Sequence, residues 1–387
     1  MRGANFRSLV IATAWVVIGW SVPKTTFVWA EPSQGTVDCS RSAGSDAGAK
    51  IQACLDELNS GGIADARGFT GQQSIRQSIR LTHAGTVLML PPGATFTFAD
   101  GMTLDISASD VHIEGAGKTS KFRLGNDSSI RIGSRQQPIW GWRVERLAIE
   151  PASGKHPAAG LLLNNAREGI LREVFLTGFP RAAIDVGDNC WSNRSVDTEI
   201  VKNDIGYNFH GDQLNAWNIR GGIINLNRIG LNFELGKGGL QGFSMTDGVQ
   251  MESNSESAVR LASGEMRGIF LSNIYSELFA SQRLIKCDST GESLKVLLLA
   301  VTNSYIYSRD TPPISIATRS QDIANVTITN VILRHSQHNL PIAEASGVNS
   351  SLVLSDSRSY SSEEITSKSP AVATGGAHIT VIRADAP

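Results

Sequence analysis

Short segments of alternating apolar and polar residues recur along most of this chain and predict β-strands. Phe243 and Met245 flank a polar residue, and Val326 and Ile328 repeat the arrangement further on. A period of two points one face of a strand inward. After residue 80 no run has apolar residues at positions i, i+3, i+4 and i+7, so a helical repeat is excluded there.

Many of these segments end in a triplet that reads apolar, polar and then Gly, Asn or Asp. From Gly221 onward, the last residues of successive triplets lie 26 to 30 positions apart. Such a period is typical of a solenoid, whose repeats bury their apolar faces by stacking. Gly, Asn and Asp tolerate the left-handed backbone of a sharp turn. The triplets are Leu176-Thr177-Gly178, Ile219-Arg220-Gly221, Met245-Thr246-Asp247, Leu271-Ser272-Asn273, Val301-Thr302-Asn303, Ile328-Thr329-Asn330 and Leu354-Ser355-Asp356, and Val201-Lys202-Asn203 fills the one long gap.

One repeat is long enough for three short strands and three turns, which is one coil of a parallel β-helix. The sequence therefore predicts an all-β, single-stranded parallel β-helix, with the Asn and Asp residues of the triplets stacked in a ladder. An amphipathic helix is predicted over residues 45–58, because Ile51, Cys54, Leu55 and Leu58 share a face and either Ser45 or Asp46 can cap its start. Such a helix would close the N-terminal end of the coil stack.

Three strings in the N-terminal third resemble the opening of pectate lyase superfamily proteins. They are DAGAKIQACLDEL (46–58), VLMLPPGATF (87–96) and VHIEGAG (111–117). The resemblance implies a right-handed parallel β-helix (a solenoid) that is secreted or phage-borne and acts on polysaccharide. It implies no single reaction, because the superfamily contains lyases, hydrolases, epimerases and non-catalytic members. Trimers are known in it, so a monomer and a trimer both stay open.

The first 30 residues predict a secretory signal peptide. Arg2 and Arg7 precede an uncharged stretch over residues 9–20, and Val28-Trp29-Ala30 fits the cleavage rule. The stretch is shorter than the roughly 20 residues that span a bilayer, so no membrane span is expected in the mature chain. We expect a signal peptide over 1–30, an N-terminal cap over 31–80, the β-helix over 81–360 and a C-terminal tail or cap over 361–387.

Charge and cysteine content limit the partners. The formal charge is -1, and removing residues 1–30, with three basic residues and no acid, takes it to -4, which gives no reason to expect nucleic acid or an anionic membrane. Cys39 and Cys54 can form a local disulfide in an oxidising compartment. Cys190 and Cys287 lie about four coils, or roughly 19 Å, apart and should stay unpaired. The sequence contains no CxxC motif and no Cys/His cluster, so it gives no reason to expect a structural metal site.

A second strand follows each triplet, and its middle residue should point outward. In Ile184-Asp185-Val186, for example, the flanking apolar residues face the core. The outward positions, 23 to 29 residues apart, are Asp185, Asn208, Asn232, Arg260, Lys286 and Ser315. Asp188, His210, Asp212, Glu234 and Asp288 come at the ends of these strands. Coils stack about 5 Å apart, so these side chains should form one stripe.

The stripe predicts a site for an acidic glycan. The candidate catalytic residues, as general acids and bases or as ligands of a cation such as Ca²⁺, are Asp185, Asp188, His210 and Asp212. The candidate substrate-binding residues are Arg260, Lys286 and Glu234 for the uronate, and Trp191 and Trp217 for stacking on sugar rings. Polar residues at solvent-facing strand positions also occur without any function, which keeps a purely structural stripe open.

Asp247 is the most motif-like acid, because Met245-Thr246-Asp247-Gly248 is similar to the NTD motif of polygalacturonase-type hydrolases. The repeat nevertheless assigns Asp247 to a turn, and the other polygalacturonase signatures (an adjacent Asp pair, GHG and RIK) do not occur.

The sequence predicts a secreted enzyme that cleaves a pectin-like uronate glycan by lyase or hydrolase chemistry. The alternative is a non-catalytic carbohydrate-binding or adhesive β-helix. Acids and cations converging in a groove would favour the enzyme, whereas a flat stripe with both tryptophans buried would favour the alternative.

Overall fold

Three short strands make up each coil, and successive coils stack so that equivalent strands pair in parallel. The computed structural model describes residues 35–279, 281–289, 293–335, 340–347, 349–360 and 371–382. They form a parallel β-helix of about 12 coils with one α-helix, which confirms the predicted fold class. The described residues belong to a single compact unit. The predicted signal peptide lies outside the described residues.

The chain passes through three parallel sheets in the order I, II, III. Sheet I contains Thr36–Asp38, Gly62–Asp65, Thr86–Met89, His112–Glu114, Arg143–Glu145, Ile170–Arg172, Arg194–Val196, Trp217–Arg220, Phe243–Thr246, Ile269–Ser272, Leu294–Thr302, Ile323–Thr329, Ser350–Ser355 and His378–Ile382. Sheet II contains Gln72–Ile75, Thr95–Phe98, Lys121–Leu124, Ala148–Pro151, Phe175–Thr177, Glu199–Val201, Ile223–Asn225, Tyr275–Leu278, Tyr305–Ser308, Ile332–His335 and Arg358–Tyr360. Sheet III contains Ile79–Leu81, Thr103–Ile106, Ser129–Ile132, Ala159–Leu163, Ala182–Val186, Ile205–Phe209, Ile229–Glu234, Ser257–Met266, Arg283–Asp288, Ile314–Ala317, Ala343–Ser346 and Ala371–Thr374. Ser257–Met266 also pairs with sheet I, and Ile139–Trp140 pairs with Ala166–Arg167 between sheets III and I.

The strand register of sheet III confirms the predicted outward column. Asp185 lies opposite Asn208, which lies opposite Asn232. The series then continues through Arg260, Lys286 and Ser315. Alternation along each strand, repeated once per coil, was therefore sufficient to place residues up to 130 positions apart on one line.

The triplets belong to two sheets rather than one, which corrects their predicted alignment. Asp247, Asn273, Asn303, Asn330 and Asp356 follow sheet I strands and have φ between 48° and 64°. Gly178 and Asn203 instead lie at the ends of sheet II strands. In the triplet Val201-Lys202-Asn203, the residue with a left-handed φ is Lys202. Strands of both sheets end in the same sequence pattern of an apolar residue, a polar residue and then Gly, Asn or Asp, so sequence spacing alone does not separate them.

Inward side chains fill the core as stacks along the helix axis. The rings of Phe209 and Phe233 lie 4.8 Å apart and 6° from parallel. A ladder of buried asparagines runs beside the sheet II strand ends: Nδ2 of Asn203 donates to Asn227 at 2.9 Å, and Nδ2 of Asn227 donates to Asn254 at 3.1 Å. Each side-chain amide thereby forms a hydrogen bond with the asparagine of the next coil, as is expected of buried polar groups.

The α-helix, Ala47–Glu57, closes the N-terminal end of the stack as predicted. Oδ1 of Asp46 accepts hydrogen bonds from the first-turn amides of Gly48 and Ala49. A disulfide joins Cys39 to Cys54, with Cα atoms 5.0 Å apart, and ties the helix to the segment before it. Because the sheet I strand Thr36–Asp38 precedes the helix, the stacked strands begin well before residue 81. Within the described ranges, no helix is long and apolar enough to cross a membrane.

Candidate functional site

A pocket of about 320 Å³ opens on the outward side of sheet III, within the predicted stripe. Its volume falls in the range of known ligand sites. The apolar lining residues are Ala158, Leu162, Ala182 and Ile205, and the polar ones are Arg181, Asp185, Asp204 and Asn208. An apolar lining with a few convergent polar groups is typical of a binding site for a small molecule or a sugar ring.

Asp185 is held in place by its neighbours on the next coil. Its Oδ1 accepts a hydrogen bond from Nδ2 of Asn208 at 2.7 Å and lies 3.2 Å from Nε2 of His210. Oδ1 of Asn208 in turn accepts from Nδ2 of the buried Asn232 at 2.9 Å. Within the described part of the chain, Oδ2 of Asp185 has no hydrogen-bond partner. One oxygen therefore fixes the carboxylate, and the other stays available to a ligand.

His210 stands beside the pocket in an acidic environment. The hydrogen bond from its imidazole to Asp185 raises the pKa of His210, and the charges of Asp185 and Asp188 add to the effect against the opposing penalty of burial. The nearby Arg135, whose Nε lies 3.7 Å from Asp188, lowers it slightly. A raised pKa increases the protonated fraction near neutral pH, which suits a proton donor.

Asp188 and Asp212 support the turns that follow the sheet III strands. Oδ1 of Asp188 accepts from the backbone amide of Asp212 at 2.9 Å, and Oδ1 of Asp212 accepts from that of Gly238 at 3.1 Å. The structure thus connects all four predicted catalytic residues, but only Asp185 lines the pocket. The two turn carboxylates act on backbone geometry and, through Asp188, on the charge of His210.

A second outward column lies next to the predicted one and was missed. It consists of the residues directly before or at the start of the sheet III strands, with alternating charge: Arg181, Asp204, Arg228 and Glu256. Arg228 binds both carboxylate oxygens of Asp204, at 2.7 and 3.1 Å, and also pairs with Glu256. The spacing of 23, 24 and 28 residues equals that of the predicted column, and this was the available signal.

The predicted uronate-binding cations are engaged by carboxylates. Nε of Arg260 lies 3.1 Å from Asp288, and Nζ of Lys286 lies 3.1 Å from Glu256 and 3.0 Å from Asp288. Opposite charges on adjacent rungs hold this part of the sheet surface, as the structural interpretation of the stripe expected. Glu234 is exposed at the end of its strand.

The two predicted sugar-stacking tryptophans have different environments. Trp217 is 2% exposed and packs edge-on against Phe209 at 5.4 Å, so its assignment to substrate binding was wrong. Trp191 lies at the surface, with its Nε1 donating to the carbonyl of Gln213. The guanidinium of Arg167 covers one face of Trp191 at 3.9 Å and lies 4.8 Å from the ring of Trp140.

The sequence left a bound cation such as Ca²⁺ open. Among the residues that the structure describes, no group of three or more His, Cys, Asp or Glu side chains is arranged to hold a metal ion. The chemistry inferred for this site involves no metal ion.

Similar folds occur among solved structures. No family model matches the sequence, and no curated protein matches it. DFA-IIIase from Arthrobacter chlorophenolicus A6 in complex with GF2 is 13% identical, with 89% of this chain and 94% of that chain covered and a TM-score of 0.53. The same enzyme in complex with DFA-III is 11% identical, over 77% and 84% of the two chains, with a TM-score of 0.52. At these identities the likeness shows one thing, that this chain shares the β-helix fold of DFA-IIIase.

Proposed function

We propose that this protein is an exported, polysaccharide-active enzyme of the pectate lyase superfamily, with its reaction centre in the pocket at Asp185. One observation carries the proposal: a histidine of raised pKa is hydrogen-bonded to a carboxylate that keeps one oxygen free and lines a pocket of ligand size. The fold shared with DFA-IIIase supports it, as do the three N-terminal strings. The disulfide at Cys39 supports export, because such bonds persist in oxidising compartments.

The chemistry we infer is cleavage of a glycosidic bond by acid–base catalysis. Protonated His210 donates its Nδ1 proton to the glycosidic oxygen, while its Nε2–H stays hydrogen-bonded to Asp185, which stabilises the imidazolium before transfer. The free Oδ2 of Asp185 faces the positive charge that develops at the sugar ring. Water, or the hydroxyl of an acceptor sugar, then attacks the anomeric carbon and returns a proton to the neutral His210. Arg181 and Asn208 supply hydrogen bonds to the sugar hydroxyls. Asp204 is neutralised by Arg228 and serves to hold the pocket wall.

Hydrolysis or transfer on a glycan of low charge fits the site better than elimination on a uronate. Elimination requires the uronate carboxylate to be neutralised, and the predicted cations Arg260 and Lys286 already pair with Glu256 and Asp288. Among the described residues that line the pocket, Arg181 is the one cation, and it shares the lining with the carboxylates of Asp185 and Asp204. A non-catalytic β-helix is the alternative that the experiment must exclude. The oligomeric state, monomer or trimer, stays a prediction.

The experiment incubates the purified protein with inulin, galactan and xylan as glycans of low charge, and with polygalacturonate and alginate as uronates. New reducing ends report hydrolysis, and absorbance from unsaturated ends reports elimination. Asp185→Asn and His210→Gln should each reduce the rate at least about 100-fold, as expected for a lost acid–base group. Asp105→Asn is the matched control, since it removes an outward carboxylate of the same column three rungs away. No product from any glycan, or equal rates in the Asp185 and Asp105 variants, would refute the proposal.

A further inference from the structure

A second pocket, of about 360 Å³, lies at the corner where sheet I passes into sheet II, in the C-terminal half of the protein. We name it the Asn–Tyr groove after two columns of side chains that line it, one residue per coil. The asparagine column is Asn273, Asn303 and Asn330, and the tyrosine column is Tyr275 and Tyr305, followed by Ile332.

The asparagine column presents amide groups to solvent at a regular spacing. All three asparagines are exposed and adopt left-handed φ values of 48° to 54°, so they occupy sharp turns. Nδ2 of Asn330 donates to Oδ1 of Asn303 at 2.8 Å. The side-chain amide of Asn273 makes no hydrogen bond to any described residue. The column therefore retains unused donors and acceptors about 4.8 Å apart, the spacing of the coils.

The tyrosine column forms a rigid apolar border beside these amides. The rings of Tyr275 and Tyr305 lie 5.6 Å apart and 5° from parallel. The hydroxyl of Tyr275 donates to the carboxylate of Glu277, which fixes the ring. On the next coil Ile332, 42% exposed, extends the apolar border. The stacked tyrosine rings and the neighbouring isoleucine together offer a surface on which an apolar face of a ligand can pack.

Within the described part of the chain, no Asp, Glu, Lys, Arg or His lines the groove. This distinguishes it from the pocket at Asp185, which carries three charged side chains. A polyanion would therefore find no cation here, whereas hydroxyl groups can donate to and accept from side-chain amides. The C–H surfaces of sugar rings pack on tyrosine.

We propose that the Asn–Tyr groove binds a segment of an uncharged polysaccharide chain that runs parallel to the helix axis. It acts as an anchoring site separate from the pocket at Asp185. Each coil goes from sheet I to II to III, so the corner between sheets I and II and the outward side of sheet III are different sides of the coil. One sugar ring cannot occupy both. The inference goes beyond the proposed catalytic function and does not require it.

Affinity electrophoresis of the full chain in gels that contain inulin, galactan or galactomannan tests this inference, with polygalacturonate as the charged comparison. The test variant is Asn303→Ala/Tyr305→Ala. The matched control is Tyr307→Ala/Asn325→Ala, which removes the same two residue types from strands of neighbouring coils outside the groove. Thermal unfolding of both variants shows whether each remains folded at the assay temperature. A third variant, Asp185→Asn, separates anchoring from catalysis.

We expect at least one uncharged polysaccharide to retard the wild type, the control and Asp185→Asn equally. The groove variant should lose about tenfold in affinity, the value of one stacked ring and one hydrogen bond. No retardation by any uncharged polysaccharide, equal retardation of groove variant and control, or retardation by polygalacturonate alone would each overturn the inference. If Asp185→Asn loses activity but is retarded as strongly as the wild type, polysaccharide binding at the groove is independent of catalysis at Asp185.

Discussion

Nε2 of His210 lies 3.2 Å from Oδ1 of Asp185, across two adjacent coils. The two residues are 25 positions apart in the sequence, one residue at the outward centre of a strand and the other just after the equivalent strand of the next coil. Stacking of the coils therefore creates a histidine–carboxylate pair that no local motif encodes. The pair connects the stability of the fold to the protonation state of the proposed site.

This pair makes a pH-dependent contribution to stability. Because Asp185 raises the pKa of His210, the folded state binds the proton more tightly than the unfolded state, whose pKa is about 6.5. The contribution is complete below that value and disappears as the pH rises through the higher folded pKa. We expect the difference in unfolding free energy between wild type and His210→Gln to fall between pH 5.5 and pH 9.

Urea unfolding at several pH values measures this difference. The side chain of His210 is 42% exposed, so solvent screening keeps the effect below about 1 kcal/mol. Asp185→Asn should remove the same pH dependence, and the double variant should show no further change. A difference in unfolding free energy between wild type and His210→Gln that increased toward pH 9 would contradict the direction of the pKa shift of His210.

The outward column could be predicted because two periods coincide in the sequence, alternation along the strand and recurrence once per coil. The same rule could have placed Trp217 in the core, since it lies two residues before the inward Ile219. The ion pairs of Arg260 could not be predicted in this way. Periodicity places Asp288 two residues after Lys286 on the strand next to Arg260, but it does not determine which of the neighbouring cations and carboxylates pair.

Gly169 makes room for a buried indole. A Cβ added at this position would overlap the ring of Trp142, which is completely buried and cannot move aside. Gly169→Ala should therefore lower the free energy of unfolding by about 1–3 kcal/mol, the usual cost of overpacking a core. Gly242→Ala is the matched control, because its nearest neighbour would be Ala216 at 3.8 Å, an ordinary contact. Chemical unfolding of both variants tests the contrast, and equal stability would contradict the steric argument.

Asn227 is the central residue of the buried asparagine ladder. Its amide accepts from Asn203, and donates to Asn254 and to the carbonyl of Ile200. Asn227→Ala would leave these buried groups without partners, and we expect a loss of about 2–4 kcal/mol in unfolding free energy. Asn330→Ala, in the exposed ladder, removes a hydrogen bond that water can replace and should cost under about 1 kcal/mol. Comparable losses in the two variants would show that burial does not determine the strength of the ladder.

The four cysteines should separate into one disulfide and two unreactive thiols. Cys190 and Cys287 are each 1% exposed, and burial raises the pKa of both thiols to about 12, so almost no thiolate forms at pH 8. A thiol reagent should modify neither residue in the native protein and both after unfolding without reductant. Four reactive thiols under those conditions would contradict the bond between Cys39 and Cys54. Replacing both of these cysteines with alanine should cost about 3 kcal/mol, because the bond closes a loop with a sequence separation of 15 residues.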